Sequence, residues 1–586
     1  MEVLGPRSAG PRLLSAAYLL SVLGFAVIIS VVTLRQHLSV PYNDDWLLLD
    51  EMYRTPLGAW LLSVQNGHRM PATLLLIHLD QTLAGGRMHL LVAASLACAW
   101  ITAGVLALAL RDPGASDREL RRVLLGFGIF ALFWSGAAFN FQWGVNHCSV
   151  WTWMWILLSL FALLRAKDAI GGSGTARWVL LAAGAAGLAT FGHGMGFLTW
   201  GSLIAMAAAG RMPWRVTVGL AAGALVCVGL YSLGVFGSKN APTGAGSLLA
   251  LLVDRPGDLA HFVCAFVGAP IGWALRGLDL VGANGMLRFS TEVGANAVLL
   301  ACGYGALVWL RGAALPGFGL AGFGLMVFVV GGGLIVGLTR LEFYGAIQAV
   351  DRRFLGWSTL FWIGGAFALG SLAAGRAASL ALMGSLAALS LAMLPFCFDA
   401  YEYGVERKER ADDLALALQL GARPDKLLVG GMRQSPEVVG RAAEHLSRER
   451  RSPFDDERSG LAGTSFAARF TAAEREPCGS APEIRWRASR GDLATVWGRL
   501  DPDGVALAYL VLVDSKGVIR GIGDERPAPR GAEPGRRWGG VIAPFVPGER
   551  YAAWAVLRDG RTACRAGVIE PGAGGGIGLR TRRPPA

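Results

Sequence analysis

The sequence predicts a polytopic α-helical membrane protein of about 11–12 spanning helices, followed by an extracytoplasmic domain of α+β or β-sandwich-like type. Of the 586 residues, 53% are hydrophobic and only 16% are charged, whereas soluble domains carry about 25% charged residues. Apolar runs of spanning length recur up to residue 396, and short β-type runs follow in the polar remainder. The net charge of +12 fits Lys and Arg collected in cytoplasmic loops, so no nucleic-acid partner is expected.

Basic residues in short loops predict the orientation of the helices. Arg7 and Arg12 precede the first run, which we interpret as a retained signal anchor with a cytoplasmic N-terminus. The run 259–275 is short and has a central Gly-Ala-Pro, which favours a re-entrant or interfacial segment. The tail then lies outside. The predicted spans are 13–34, 88–110, 123–139, 149–164, 178–192, 195–210, 216–236, 291–310, 317–338, 354–373 and 378–396.

Composition divides the chain into four parts. Residues 1–397 form the transmembrane domain, and 398–480 alternate charged and apolar residues at helical spacing, as a helical extracytoplasmic linker region would. Residues 481–572 contain runs such as ALAYLVLVD between Gly, Pro and Asp turn signals, which predict a small β-sandwich-like domain. The glycine-rich end, 573–586, predicts a disordered tail.

Cysteine spacing and glycine motifs exclude several kinds of site. Neither a CxxC nor a Cys/His ligand spacing occurs, which argues against structural zinc. Cys478 and Cys564 lie in the polar tail, and they could pair if that tail is extracytoplasmic. The many glycines of the apolar runs are typical of close helix packing, and no nucleotide-binding glycine pattern is present.

Polar clusters near the membrane mark candidate functional residues, because ionisable groups are costly there. The first is Asp44 and Asp45, in the stretch NDDW after the first run. A carboxylate there could act as a general base or hold a divalent metal, and a first-turn or capping role is the alternative. The second is Asn66, His68 and Arg69, where His suits proton transfer and Arg suits phosphate, or the segment caps a helix.

Two further clusters combine amides or imidazoles with aromatic or glycine residues. Asn140, Gln142 and His147 lie among aromatics, as in sugar sites, although an interfacial aromatic belt gives the same pattern. His193 lies in TFGHGMG, where glycines permit close backbone approach to a ligand or, equally, a tight helix hairpin.

The fifth cluster is basic and lies on the predicted outer side. Arg340, Arg352 and Arg353 there suit a lipid phosphate or pyrophosphate, and pairing with Glu342 and Asp351 is the alternative. All five clusters share one predicted side of the membrane. Together they describe a site that could bind a lipid-phosphate donor and deprotonate an acceptor.

The stretches NDDW, NGHR, NFQWG and TFGHGMGFLTW, with the Arg-rich 339–353 loop, resemble a broad group of bacterial polytopic membrane proteins. In that group the second motif often has Glu where this chain has Gly67. More distantly, an acidic pair in the first outer loop resembles the GT-C class of membrane glycosyltransferases. The closer resemblance covers most of 13–400.

The resemblance to the GT-C class implies an activity and a set of partners. Such an enzyme of the bacterial cytoplasmic membrane takes a sugar from a polyprenyl-phosphate carrier and attaches it to a glycan or lipid acceptor outside. Asp44 or Asp45 would be the base, and Arg340, Arg352 and Arg353, with Lys239 or Arg69, would stabilise the departing phosphate. Asn66, His68, Asn140, Gln142, His147 and His193 would bind the sugar or acceptor.

Several alternatives stay open at the level of sequence. The sequence identifies no cofactor, and whether the reaction needs a divalent metal at Asp44 and Asp45 stays open. A lipid-linked glycan ligase or polymerase would use the same phosphate site. A transporter or flippase usually shows repeats and midplane polar residues, whereas here the polar residues lie at helix ends. A non-catalytic envelope scaffold would tolerate loss of both acids.

Overall fold

The structure is a computed structural model that describes residues 9–65, 67–111, 118–134, 138–172, 174–233, 245–311, 316–422, 434–473, 480–490, 493–501, 506–526 and 536–569. The predicted tail 573–586 lies outside these ranges. The chain forms two compact units. The helical unit comprises Met1–Arg35, Leu61–Leu76 and Leu91–Tyr401, and the sheet unit comprises Gln36–Trp60, Ile77–Leu90 and Glu402–Ala586.

Helices dominate the described chain. They are α1 (Ala9–Gln36), α2 (Asp44–Arg54), α3 (Leu57–Leu61), α4 (Pro71–Leu83), α5 (His89–Ala109), α6 (Arg118–Phe133), α7 (Ala138–Gln142), α8 (His147–Asp168), α9 (Gly174–Thr190), α10 (Leu198–Ala209), α11 (Trp214–Ser232), α12 (Ala245–Asp254), α13 (Pro256–Gly277), α14 (Ala283–Arg311), α15 (Gly317–Tyr344), α16 (Leu355–Leu372), α17 (Arg376–Met393), α18 (Phe396–Gln419), α19 (Pro436–Arg448) and α20 (Phe466–Arg469).

Nine helices of the described ranges are long and apolar enough to cross a membrane. They agree with the prediction of a polytopic membrane protein. The helices α6, α9 and α10, which the sequence predicts as spans, have 16, 17 and 12 residues and fall below that length. The segment 259–275, interpreted from the sequence as re-entrant or interfacial, belongs to α13, whose 22 residues are long and apolar enough to cross. Its helix begins at Pro256, a favourable first-turn position, and continues through Pro270.

Glycines allow α13 and α14 to pack backbone against backbone. A methyl group built on Gly268 would lie 1.9 Å from the carbonyl oxygen of Ser290. One built on Gly294 would lie 1.8 Å from the carbonyl oxygen of Cys264. Small residues let membrane helices approach this closely and gain van der Waals contact. The abundant glycines of this hairpin therefore have a packing role.

Replacing Gly294 by Ala is expected to destabilise the helical unit by about 1–3 kcal/mol, the usual cost of overpacking. The new methyl would overlap a main-chain oxygen that cannot move without shifting the helix. Thermal unfolding of the purified full chain in detergent measures the effect. Gly303→Ala in the same helix is the matched control, because no atom lies within 4 Å of its added methyl. Equal melting temperatures for both variants would contradict the packing argument.

The sheet unit contains one eight-stranded sheet with the strand order β1-β8-β7-β4-β5-β6-β3-β2. Among the described strand pairs, β1 and β8 are parallel and the others are antiparallel. The strands are β1 (Thr471–Ala472), β2 (Ser480–Arg490), β3 (Leu493–Asp501), β4 (Leu507–Val513), β5 (Ile519–Arg526), β6 (Arg536–Ile542), β7 (Tyr551–Leu557) and β8 (Thr562–Ile569).

The predicted β-sandwich is wrong in detail, because the strands form a single curved sheet. Register shifts interrupt the β2–β3, β4–β5 and β7–β8 ladders, and such bulges bend a strand and increase its twist. Near its two ends, β2 and β8 approach each other. Leu510, Trp538 and Tyr551 contribute to a core enclosed by one face. A single sheet therefore encloses this core, which in a β-sandwich would lie between two sheets.

Helix α18 packs on the outer face of the same sheet. Leu416 and Leu420 contact a cluster with Ile522 and Val541. The buried guanidinium of Arg526 makes ion pairs with Asp412 and Asp413, at 2.9 and 2.6 Å. The region predicted as a linker therefore belongs to the folded sheet unit.

The first loop and the C-terminal region belong to one unit. Gln36–Trp60 and Glu402–Ala586 are both parts of the sheet unit, although the sequence assigned the first to the transmembrane domain. Ser452 Oγ donates a hydrogen bond to the carbonyl oxygen of Ser39 at 2.8 Å. Two segments of one folded unit lie on one side of any membrane the helices cross. The first loop and the tail therefore share a side, whatever the number of crossings between them.

Candidate functional site

The acid pair opens α2, after a turn with an unusual backbone. Asn43 has φ 48° and ψ −119°, a conformation that favours glycine. Asp44 and Asp45 occupy the first helical turn, where the helix dipole stabilises negative charge. Asp45 is only 1% exposed, and its Oδ2 accepts a hydrogen bond from the Tyr42 amide at 3.0 Å. Asp44 is half-buried, and its Oδ1 accepts one from Gln434 Nε2 at 3.0 Å.

A third acid of α2 holds the helix against α19. Arg441 donates from Nε and Nη2 to Asp50 at 3.0 and 2.7 Å. One turn further along, the rings of Tyr53 and His445 stack with centroids 4.9 Å apart. Burial raises the pKa of Asp50, but the hydrogen bond and charge of Arg441, and then those of Arg54, lower it below the ordinary value. Asp50 is therefore a fixed anion and a poor proton acceptor.

The Asp50 ion pair predicts a pH-dependent contribution to stability. Because the folded pKa is depressed, the stabilisation is present above the unfolded pKa of about 3.9 and is lost as the pH falls through the folded pKa. Asp50→Asn should lower the melting temperature at pH 7, and the difference from the unmodified protein should shrink below about pH 4. Thermal unfolding in detergent at pH 7 and pH 3 measures this. A difference that is the same at both pH values would contradict it.

In the helical unit, a tight turn presents His68. Gln65 and His68 exchange two backbone hydrogen bonds, of 2.7 and 2.8 Å. Gly67 within this turn has φ 79°, which a Glu at this position would adopt only with strain. Arg69 donates to the carbonyl oxygens of Tyr231, at 3.1 Å, and of Leu62 and Leu233. These contacts secure the turn at the end of α11, so Arg69 has a structural role in addition to any contact with a substrate.

His193 lies in a bend between α9 and α10 and stacks on His68, with ring centroids 4.4 Å apart. A methyl on Gly194 would lie 2.6 Å from His68 Nδ1, so glycine permits this approach. A methyl on Gly196 would lie 1.8 Å from the carbonyl oxygen of Ala189. The tight helix hairpin that the sequence allowed for TFGHGMG is therefore present, and the approach of these glycines to a ligand stays a prediction.

Both imidazoles are neutral at physiological pH. Burial, and then the positive charge of Arg340, lower the pKa of His68 to about 4. Burial also lowers the pKa of His193 well below its usual value, with smaller effects of His68 and Arg340. His193 Nδ1 accepts a hydrogen bond from the amide of Met195 at 3.2 Å, so its proton lies on Nε2. The pair can therefore donate and accept hydrogen bonds without adding charge.

Aromatic rings connect the histidines to Asn140. The ring of Trp357 lies 5.1 Å from His193 and 5.7 Å from Trp153. A methyl on Gly356 would lie 3.0 Å from Asn140 Nδ2 and 2.1 Å from Trp153 Cη2, so both side chains pack at the start of α16. Asn140 is 1% exposed, yet neither amide atom has a hydrogen-bond partner among the described residues. The indole nitrogen of Trp153 and Nδ1 of His68 also lack one there.

The arginines after α15 differ in their surroundings. Arg352 lies over the rings of Trp273 and Phe396, at 4.6 and 5.3 Å. Arg353 makes an ion pair of 3.2 Å with Asp351. The sequence analysis gave this pairing as the alternative to binding a phosphate. Its Nε is buried without a hydrogen-bond partner in the described part of the chain. Arg340 lies 5.7 Å from the ring of Tyr344.

The structure thus brings part of the predicted site together. His68, His193, Trp357, Trp153 and Asn140, with the nearby charge of Arg340, are here called the imidazole–amide cluster. All of these residues belong to the helical unit, whereas Asp44 and Asp45 belong to the sheet unit.

Other predicted residues fall beside this cluster or outside the described ranges. Gln142 is buried, and His147 is buried with Nδ1 3.2 Å from Ser95 Oγ. Asn66 and Lys239 lie outside the described residues. The sequence did not indicate Trp153, Trp357, Gln434 or Arg441, because nothing local distinguishes them from core or surface residues. Within the ranges the structure describes, no three His, Cys, Asp or Glu side chains come together as a metal site would require.

Comparison with known proteins gives no match to a family model, to a curated protein or to a solved structure. The site must therefore be interpreted from its own chemistry.

Proposed function

We propose that the protein is a membrane glycosyltransferase that moves a sugar from a polyprenyl-phosphate donor to a glycan or lipid acceptor on the extracytoplasmic face. In this reaction the acceptor oxygen attacks the anomeric carbon and gives its proton to a carboxylate. The bond between the anomeric carbon and the phosphate oxygen breaks, and the phosphate leaves with the electron pair. The membrane concerned would be the bacterial cytoplasmic membrane.

The observation that supports this function best is the imidazole–amide cluster. Buried polar groups are normally hydrogen-bonded, because an unpaired one costs about 1–3 kcal/mol. Asn140, Trp153 and His68 have buried polar atoms without partners among the described residues, next to the aromatic ring of Trp357. Hydroxyl groups and the apolar face of a sugar ring suit this combination. Arg340, whose charge acts on both histidines, would attract the phosphate.

Among Asp44, Asp45 and Asp50 of α2, Asp44 fits the role of general base best. Asp50 is held as an anion by Arg441, and Asp45 is almost fully buried against the Tyr42 amide. Asp44 is more exposed than either, and Gln434 contacts it with a neutral amide. A base must accept a proton from the acceptor, so a half-buried carboxylate is better suited than one that is almost fully buried or paired with Arg.

The cysteines support an extracytoplasmic sheet unit. Cys564 is disulfide-bonded, whereas the described cysteines of the helical unit are not in disulfides. Cys478 lies outside the described residues. Disulfides persist in oxidising compartments and are rare in the cytosol. The tail shares its side with the first loop, so an outer tail also places Asp44 outside, where acceptor glycans are found.

Deleting the gene in the source cell and analysing envelope glycans by mass spectrometry tests the proposed activity. The glycan of the deletion strain should lack one kind of sugar residue, and the unmodified gene should restore it. Loss of an entire polymer from its attachment site would instead indicate a ligase or polymerase. An unchanged glycan profile would contradict the transferase function.

A further inference from the structure

We infer that Arg276 and Arg352 form a binding site for a phosphate group at the end of α13. The inference concerns binding alone and does not depend on the proposed transfer reaction. Arg276, which the sequence did not indicate, lies in the last turn of α13, and its guanidinium carbon is 5.0 Å from the ring centre of Trp273. The guanidinium carbon of Arg352 is 4.6 Å from the same ring centre. Two cations of the helical unit therefore share one indole.

The indole of Trp273 also attaches the segment that carries Arg352 to α13. Its Nε1 donates a hydrogen bond to the carbonyl oxygen of Val350 at 2.8 Å. The ring of Phe396 lies 4.9 Å from Trp273 and 5.3 Å from the guanidinium carbon of Arg352. A methyl on Gly277 would lie 2.6 Å from the amide nitrogen of Phe396, so glycine admits this ring against the end of α13. The two guanidinium groups are thus held by a packed aromatic frame.

The charges at this frame favour an anionic ligand. Nη1 of Arg276 is buried without a hydrogen-bond partner among the described residues. Arg353, in contrast, is matched by its ion pair with Asp351. Nη1 of Arg352 donates to the carbonyl oxygen of Asp399 at 3.4 Å, which orients the guanidinium group. Two cations beside one ring repel each other, most strongly away from bulk water. A phosphate would accept hydrogen bonds from Arg276 and offset both charges.

The position of the pair suits a phosphate at a membrane interface. Arg276 is one residue from the end of the candidate span Pro256–Gly277, and Arg352 begins the candidate span Arg352–Leu372. A basic side chain at such a place often extends its charged head into water or lipid headgroups, which is the alternative explanation. Arg276 and Arg352 are only half-exposed, however, and Nη1 of Arg276 is buried. This geometry favours a formed site over a loose surface charge.

The test titrates the purified full chain in a neutral detergent with inorganic phosphate, farnesyl phosphate and farnesol, and it measures binding by calorimetry. Farnesyl phosphate should bind and farnesol should not, because only the phosphate can pair with the guanidinium groups. Arg276→Gln and Arg352→Gln should each raise the dissociation constant of farnesyl phosphate by about 10–100-fold, the usual loss of a hydrogen bond between charged groups. Inorganic phosphate that binds as tightly as farnesyl phosphate would identify free phosphate as the ligand, and weaker binding would identify a lipid phosphate.

Two further variants complete the test. Arg288→Gln is the matched control, because Arg288 is an exposed residue of the same unit that pairs with Glu292, and it should bind as the unmodified protein does. Arg276→Lys keeps the charge but loses the planar fork, so its affinity should be intermediate, which also tests the site if the Gln variants fail to fold. Unchanged affinity in the Arg276 variants would overturn the inference. Equal binding of farnesol and farnesyl phosphate, or binding of neither phosphate probe, would overturn it as well.

Discussion

Replacing Asp44 by Asn is expected to reduce the transferred sugar by about 10²–10⁴-fold, the usual contribution of general base catalysis. The amide keeps the size of the side chain and can still bond to Gln434, but it cannot accept the acceptor proton. The membrane level of the variant should therefore match that of the unmodified protein. Mass spectrometry of envelope glycans from the complemented deletion strain, with protein levels from immunoblots, measures both quantities.

Asp45→Asn is the matched control for this prediction. Its amide oxygen can still accept the hydrogen bond from Tyr42, so the turn before α2 should form and transfer should persist. The two adjacent acids thus have different expected phenotypes, although their sequence context is the same. If Asp45→Asn abolishes transfer and Asp44→Asn does not, the assignment of the base is wrong.

The second large effect is expected at Asn140, where replacement by Leu should stabilise the fold and abolish transfer. Leu removes two buried polar atoms that have no partners in the described structure, which should raise the free energy of unfolding by about 1–3 kcal/mol. The same change removes a donor and an acceptor from the imidazole–amide cluster. Thermal unfolding in detergent and glycan analysis in the complemented strain measure the two effects.

If the variant is more stable but inactive, the native residue lowers stability and is needed for ligand binding. Asn296→Leu on α14 is the control, because Asn296 is exposed and its Nδ2 already donates to the carbonyl oxygen of Glu292 at 2.9 Å. It should change neither stability nor transfer appreciably. An Asn140→Leu protein that transfers normally would show that this amide has no role in substrate binding.

The general fold could be predicted from the sequence, because long hydrophobic runs indicate the segments that can cross a membrane. Eight of the nine candidate spans in the described ranges, and the C-terminal sheet, follow from such runs. The segment 259–275 was interpreted as re-entrant because it is short and has a central Gly-Ala-Pro, whereas the helix α13 begins at Pro256 and continues through Pro270 to a length of 22 residues. The sandwich was misjudged because strand patterns show which faces are buried but do not show whether one sheet curves or two sheets pack.

The candidate site could be predicted only where local chemistry is distinctive. His68 in NGHR was selected for its polar neighbours and His193 in TFGHGMG for its glycines, and the structure brings both imidazoles together. Trp153 and Trp357 resemble ordinary core aromatics in sequence, and their role appears only through the unpartnered amide of Asn140. Gln434 was unrecognisable, because its contact with Asp44 depends on the long-range association of α19 with α2.

The most direct test of the transferase mechanism is the mass of the carrier lipid that accumulates when Asp44 is replaced by Asn. Polyprenyl phosphates extracted from the variant strain are analysed by mass spectrometry beside those of the unmodified strain. The proposed mechanism predicts a polyprenyl phosphate bearing the one sugar that the envelope glycan has lost. A carrier lipid unchanged from the unmodified strain, or one that bears a whole oligosaccharide, would contradict it.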